Sequence, residues 1–209
     1  MDSKNYSKRI QRNNDYYDFF APKVKIRSDE RDFSKAFDEF LGHADKEKTI
    51  LDIGCGSGNH LKIFKSKGYM ALGIEPSAKM RSLAAEEGDV IDGTFETLDE
   101  LNLPQIGGIW CASSLLHVPK ENIDNVFKMI FSLLDSTAPL YFTVRIGEGS
   151  KWDRWDDAEG DISRFIQLFS EQELLDSLEK TGFKNIEYWI EDSYWGRPSK
   201  WISVVARKL

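Results

Sequence analysis

The stretch Thr49-Ile-Leu-Asp-Ile-Gly-Cys-Gly-Ser-Gly58 constrains this chain more than any other. Its apolar, β-branched start reads as a buried strand. It runs into three glycines at alternate positions, Gly54, Gly56 and Gly58, and then into residues 59–67, which carry Leu61 and Phe64 on one side and stop at Gly68. A glycine just past the last periodic residue is a helix stop. Strand, glycine turn and helix open a nucleotide-binding α/β unit, because side chains in the turn would hold the backbone away from a ligand and forbid the torsions it needs. The spacing is G-x-G-x-G with Asp52 two residues ahead, not the dinucleotide pattern G-x-G-x-x-G, whose third glycine position is held by Asn59.

The 209 residues suit one domain with a substantial core. The 35 acidic against 28 basic residues give a net charge of -7, which opposes general nucleic-acid binding, since phosphate neutralisation requires a basic face. Cys55 lies in the glycine turn and Cys111 in an apolar strand, so both read as reduced and unpaired. No Cys/His cluster has metal-ligand spacing. With a polar N-terminus and no run of membrane-span length, the chain reads as soluble and cytoplasmic.

Residues 1–14 are polar and read as mobile. Tyr16, Tyr17, Phe19 and Phe20 then cluster before Ala21-Pro22, either packing on a sheet edge or forming a lid. Phe33, Ala36, Phe37, Phe40 and Leu41 recur at helical spacing up to Gly42. Residues 69–74 form a second strand, parallel to the first through the crossover helix, followed by Glu75-Pro76 and a helix over 77–87. Glu75 thus stands at a strand's carboxyl end, about 20 residues past the glycines, where a ribose ligand is expected; the other reading is a solvated acid.

Residues 89–92 read as a short third strand and Gly93-Thr94-Phe95-Glu96 as its loop, with Phe95 either against a base ring or in the core. The fourth strand, 106–112, leads into Ser113-Ser114-Leu115-Leu116-His117. His117 is either a proton acceptor or a structural histidine bonding a backbone carbonyl. A crossover helix over 121–134 and a fifth strand over 140–145 end at Arg145. The insert 146–169 is expected over the site, and its stretch 150–168, with Trp152, Asp153, Arg154, Trp155, Arg164 and Phe165, lacks a period and reads as a loop. Ser170-x-x-Glu173 is a capping box opening a helix that ends at Gly182. Two closing strands, 183–190 and 200–207, are joined by residues 191–199, which include Trp195, Arg197 and Pro198.

The motif D-x-G-x-G-x-G resembles motif I of the class I S-adenosylmethionine-dependent methyltransferases, and the β-α run closed by a hairpin is similar to their fold. The likeness runs from Tyr16 onward and includes Gly73-Ile-Glu-Pro-Ser-Ala-Lys-Met80 and Gly108-Ile-Trp-Cys-Ala-Ser-Ser-Leu-Leu-His-Val-Pro119, with small bacterial methyltransferases of the type 11 and 12 kind nearest. It implies a Rossmann-like three-layer α/β/α fold with a seven-stranded, mostly parallel sheet and a C-terminal β-hairpin. One domain is expected, with residues 1–45 as an N-terminal lid or helical segment. S-adenosyl-L-methionine is the implied cofactor. Asp52, Gly54, Cys55, Gly56 and Gly58 would frame its methionine, Glu75 with Pro76 and Ser77 its ribose, and Thr94, Phe95 and Glu96 its adenine. Cys111, Ala112 and Ser113 would lie beneath the methyl group. Thr94 replaces an acid common in the family, and Gly107 an Asp that commonly opens the fourth strand.

The acceptor site is expected from parts outside the shared fold: Tyr16, Tyr17, Arg145, Trp152, Arg197 and Trp201, with His117 as proton acceptor. Two arginines there would suit a small acceptor bearing a carboxylate or phosphate, unless both pair with surface acids. The alternatives are a cofactor-binding regulatory protein without catalysis, and a protein or tRNA methyltransferase. Oligomeric state is not legible.

Overall fold

The computed structural model describes residues 3–154, 161–193 and 198–209. Its seven-stranded sheet comprises β1 (Thr49–Ile53), β2 (Ala71–Ile74), β3 (Asp89–Ile91), β4 (Ile106–Ala112), β5 (Pro139–Arg145), β8 (Phe183–Asp192) and β9 (Lys200–Lys208). Their order is β3-β2-β1-β4-β5-β9-β8. β1 to β5 are parallel, and β9 enters antiparallel between β5 and β8, as the resemblance implied. The order reverses between β1 and β4, and an open parallel sheet binds its ligand at the carboxyl ends beside such a switch.

The helices are α1 (Ser3–Glu30), α2 (Ser34–Leu41), α3 (Asn59–Ser66), α4 (Ala78–Ala84), α5 (Ile123–Leu133) and α6 (Glu171–Thr181). Residues alternate between the two faces of each strand, so β1 sends Leu51 and Ile53 to one side and Ile50 to the other. Ile109, Cys111 and Phe142 join Val126, Phe127 and Ile130 of α5 and Leu174 and Leu178 of α6 in the larger core. On the other face, Trp110 and Tyr141 pack with Phe37 and Phe40 of α2 and Phe64 of α3. Among the described residues no helix is long and apolar enough to cross a membrane.

Two expectations are corrected. Residues 3–14, read as mobile, belong to α1, a 28-residue helix that also contains Pro22. Its buried face holds Arg9, Asn13, Tyr16, Phe20 and Ala21, a helical stripe whose first two positions are polar, which hides the apolar period. The insert, read as a loop, contains a two-stranded antiparallel hairpin, β6 (Ser150–Asp153) and β7 (Arg164–Gln167). Its strands are four residues each, too short for alternation to stand out among mixed aromatic and charged residues.

The capping box is present, with Ser170 Oγ accepting from the Glu173 amide and Glu173 from the Ser170 amide. Gly107 stands where the loop before β1 crosses β4: a Cβ there would lie 2.8 Å from Lys48 Cβ and 2.9 Å from the Asp45 carbonyl oxygen. That close approach accounts for the missing acid at this position.

Candidate functional site

A cleft opens over the carboxyl ends of β1, β2, β4 and β5 and is roofed by α1. The glycine turn forms its floor. Gly54 adopts a φ of +75°, and a Cβ there would lie 2.4 Å from Ser114 Cβ, so both the torsion and the packing exclude a larger residue. Glu75, buried at the end of β2, accepts from the Gly56 amide through Oε2 (2.9 Å) and from the Ser77 amide through Oε1 (2.8 Å). It therefore fixes the turn and the start of α4 while keeping a second lone pair on each oxygen. Burial pushes its pKa up to about 7.

Of the residues expected at the cofactor, Gly54, Gly56, Glu75, Pro76, Thr94, Phe95, Glu96, Ala112 and Ser113 line the cleft. Of the residues expected at the acceptor, Tyr17, His117, Arg145 and Trp201 line it as well. Thr94 Oγ1 accepts from the Glu96 amide (3.2 Å), so the residue in place of the usual acid caps the 3₁₀ turn Phe95–Glu100.

Seven expected site residues do not line it. Asp52 is buried beneath the turn. Cys55 packs with Leu61 and Ala84, and Gly58 lies against the backbone of Ala84. Ser77 caps α4 and donates to Asp18 of α1 (2.6 Å). Cys111 points into the α5 and α6 core, because its position on β4 has the parity of Ile109. Tyr16 is buried against Phe20 and Tyr17, and Trp152 is 44% exposed against Phe165 and the Arg12 guanidinium. Arg197, Trp195 and Trp155 lie outside the described residues. Both cysteines are free and buried, as expected.

The structure adds His60, Arg31 and Arg164 to the cleft wall. Trp110 Nε1–H donates to His60 Nδ1 (3.1 Å), so His60 is neutral and carries its proton on Nε2. Burial and Arg31 lower its pKa to about 3, so the 3.9 Å approach of Nδ1 to Asp52 is not an ion pair. Its position in the first turn of the helix after the glycines was the available sequence signal. Arg31 lies between the rings of Phe33 (4.5 Å) and Trp201 (4.7 Å), donating to Ser113 Oγ (2.9 Å) and Thr143 Oγ1 (3.3 Å). Nothing local in the sequence marks it.

The donor set fits a nucleoside sulfonium. His60 Nε2, on a residue of the cleft wall, is buried without a hydrogen-bond partner among the described residues, leaving a donor by the turn. Glu75 offers acceptors for paired hydroxyls, and Phe95 an apolar surface for a base.

This strand order, with a glycine turn over a buried strand-end glutamate, defines the class I S-adenosylmethionine-dependent methyltransferases. The fold is shared with an S-adenosylmethionine-dependent methyltransferase of Methanosarcina mazei (TM-score 0.68, 20% identity, 81% of this chain and 96% of that one). The family model described as a methyltransferase domain matches residues 26–188, and the chain belongs to that family. It is also similar to an 18S rRNA (guanine-N(7))-methyltransferase of Schizosaccharomyces pombe, 25% identical over 78% of this chain and 59% of that protein. An uncharacterized methyltransferase of Oceanobacillus iheyensis is 24% identical over 76% of this chain and 68% of its own length. The chain thus spans less than two thirds of the first of these relatives.

Proposed function

We propose that this protein transfers the methyl group of S-adenosylmethionine to a small acceptor carrying a carboxylate or phosphate. One observation carries the choice of acceptor: the Trp201 ring has the guanidinium of Arg31 at 4.7 Å and that of Arg145 at 5.3 Å, both on the cleft wall. Asp153 pairs with Arg145 (3.4 Å) and lies 3.6 Å from Arg164, whereas Arg31 has no ion pair among the described residues. A half-buried cation that hydroxyls and ring faces hold keeps part of its desolvation penalty, which an entering anion offsets.

The bound cofactor supplies a methyl group already activated on a sulfonium. The protein's work is alignment and exclusion of water. Glu75 and the glycine turn hold the nucleoside end. α1 closes the top through Asp18 on the Lys79 amide (2.9 Å) and Asn13 on the Phe165 amide (2.7 Å). Ala112 and Ser113 lie between the two ends.

The test is transfer from labelled cofactor to amines, alcohols and phenols offered with and without a carboxylate or phosphate. Transfer should favour the anionic members. Arg31→Met should raise their KM by about 10- to 150-fold, the equivalent of roughly 1.5–3 kcal/mol for a charged hydrogen bond. Equal turnover of uncharged members sinks the reading. So does a loss of S-adenosylhomocysteine affinity in Arg31→Met with KM unchanged, which assigns Arg31 to the cofactor's own carboxylate.

The rRNA methyltransferase relative favours a second reading, an RNA acceptor, against which stands the net charge of -7. Ribosomal RNA in the same assay separates the two. Cofactor binding without transfer to any fraction supports a regulatory protein.

A further inference from the structure

At the acceptor end, four groups from three parts of the chain form one hydrogen-bonded line. Arg164 Nη1 on β7 donates to Tyr17 Oη on α1 (2.6 Å). Tyr17 Oη lies 2.8 Å from His117 Nε2, and His117 Nδ1 lies 2.7 Å from the Phe165 carbonyl oxygen. The directions follow from chemistry. A carbonyl only accepts, so Nδ1 carries the imidazole proton; in the neutral ring Nε2 is then a lone pair and accepts from the Tyr17 hydroxyl. A guanidinium only donates, so Tyr17 Oη receives one bond and gives one. Its remaining lone pair is available on a residue that lines the cleft.

Methyl transfer by alignment alone needs no such line. We propose that Tyr17 is the catalytic proton acceptor of the transfer and that His117, behind it, takes the proton on. The acceptor's N–H or O–H proton passes to Tyr17 Oη as the Tyr17 proton passes to His117 Nε2. The lone pair so freed forms the bond to the methyl carbon, and the carbon–sulfur bonding pair leaves with sulfur. Phe165 holds the resulting imidazolium through Nδ1–H, and Nε2 returns its proton through Tyr17 to solvent when products leave. This rests on the methyl-transfer reading but not on the acceptor's being anionic.

The surroundings keep the resting imidazole of the dyad neutral. His117 faces Tyr17 and Arg9 of α1, Arg164 of β7 and Arg145 of β5, with Asp153 of β6 against both of the last two. Burial, then Arg164, lowers the imidazole pKa to about 3, so Nε2 is a free base throughout the neutral range. Because Tyr17 rides on the roofing helix, the dyad is complete only with α1 seated.

The experiment uses the full chain and the member of the acceptor panel, charged or uncharged, that wild type methylates fastest. Tyr17→Phe keeps the ring and removes the oxygen. It should lower kcat by about 10²–10⁴-fold, the span of general base catalysis, with KM and S-adenosylhomocysteine affinity within threefold of wild type. With an amine, log kcat of Tyr17→Phe should climb about one unit per pH unit from 6 to 9, since only amine already deprotonated in solution reacts. Wild type should be nearly flat there. His117→Asn should move kcat and its pH slope in the same direction, and serves if the first variant melts early. An unchanged kcat overturns the proposal. So does a loss of kcat matched by a loss of cofactor affinity with no new pH slope, the result of a lid latch without proton transfer. Failure of wild type to methylate any panel member rejects it too, whereas turnover of uncharged members alone rejects only the anionic acceptor.

Discussion

Glu75→Ala should weaken S-adenosylhomocysteine binding by at least about a hundredfold in calorimetry, roughly 3 kcal/mol for two charged hydrogen bonds at the low end of their range. The carboxylate supports the Gly56 and Ser77 amides as well as facing the cleft, so truncation loosens the turn and removes the acceptors proposed for the ribose together. Glu75→Gln should bind nearly as poorly, because its NH₂ must face either an amide N–H or a hydroxyl donor. With the free carboxyl titrating at about 7 and hydroxyl donors favouring the ionised form, affinity should rise from pH 6 towards 8 in wild type and lose that rise in Glu75→Gln. The folding linkage has the opposite sign. The folded protein retains this proton up to about 7 while the unfolded carboxyl releases it near 4.5, so the Glu75 contribution to stability falls as pH climbs between those values. A variant with wild-type affinity would remove Glu75 from the cofactor site.

Trp110→Ala should be the most destabilising single truncation, by about 3–5 kcal/mol in urea unfolding. Trp110 is fully buried, stacks on Phe37 (4.6 Å, 10°) and meets Tyr141 at 4.0 Å, Phe40 at 5.2 Å and Phe64 at 5.5 Å. Truncation leaves a cavity where α2 and α3 meet the sheet. It also frees His60 Nδ1, so the ring is no longer fixed with its proton on Nε2. Trp110→Phe keeps most of the packing and should cost about 1–3 kcal/mol, the penalty of an unsatisfied buried group plus lost contacts. A cost below about 1 kcal/mol for the alanine variant would contradict this packing.

Much of the fold was legible because its signals are local. Strands β4 and β5, the capping box at Ser170 and the helix stops at Gly42 and Gly182 stand where the sequence puts them. The N-terminal helix was not legible, because Arg9 and Asn13 are buried by partners far along the chain: the Arg9 guanidinium lies over the Phe165 ring, and Asn13 binds the Phe165 amide. Cys111 was misassigned for a related reason. A central parallel strand buried on both faces has no polar alternation to say which residue faces the cleft.

By itself, the sequence determined the glycine turn, the strand-end glutamate and the order of the elements between residues 49 and 145. Each depends on torsions and side chains only a few residues apart, and together they specify family and cofactor. Tertiary structure alone decided which charges meet. Arg31 from the end of the helical roof, Arg145 from a strand end and Arg164 from the insert hairpin reach one wall, and Tyr17 meets His117 across 100 positions. Such convergence follows from how the layers close on one another, and no local pattern encodes it.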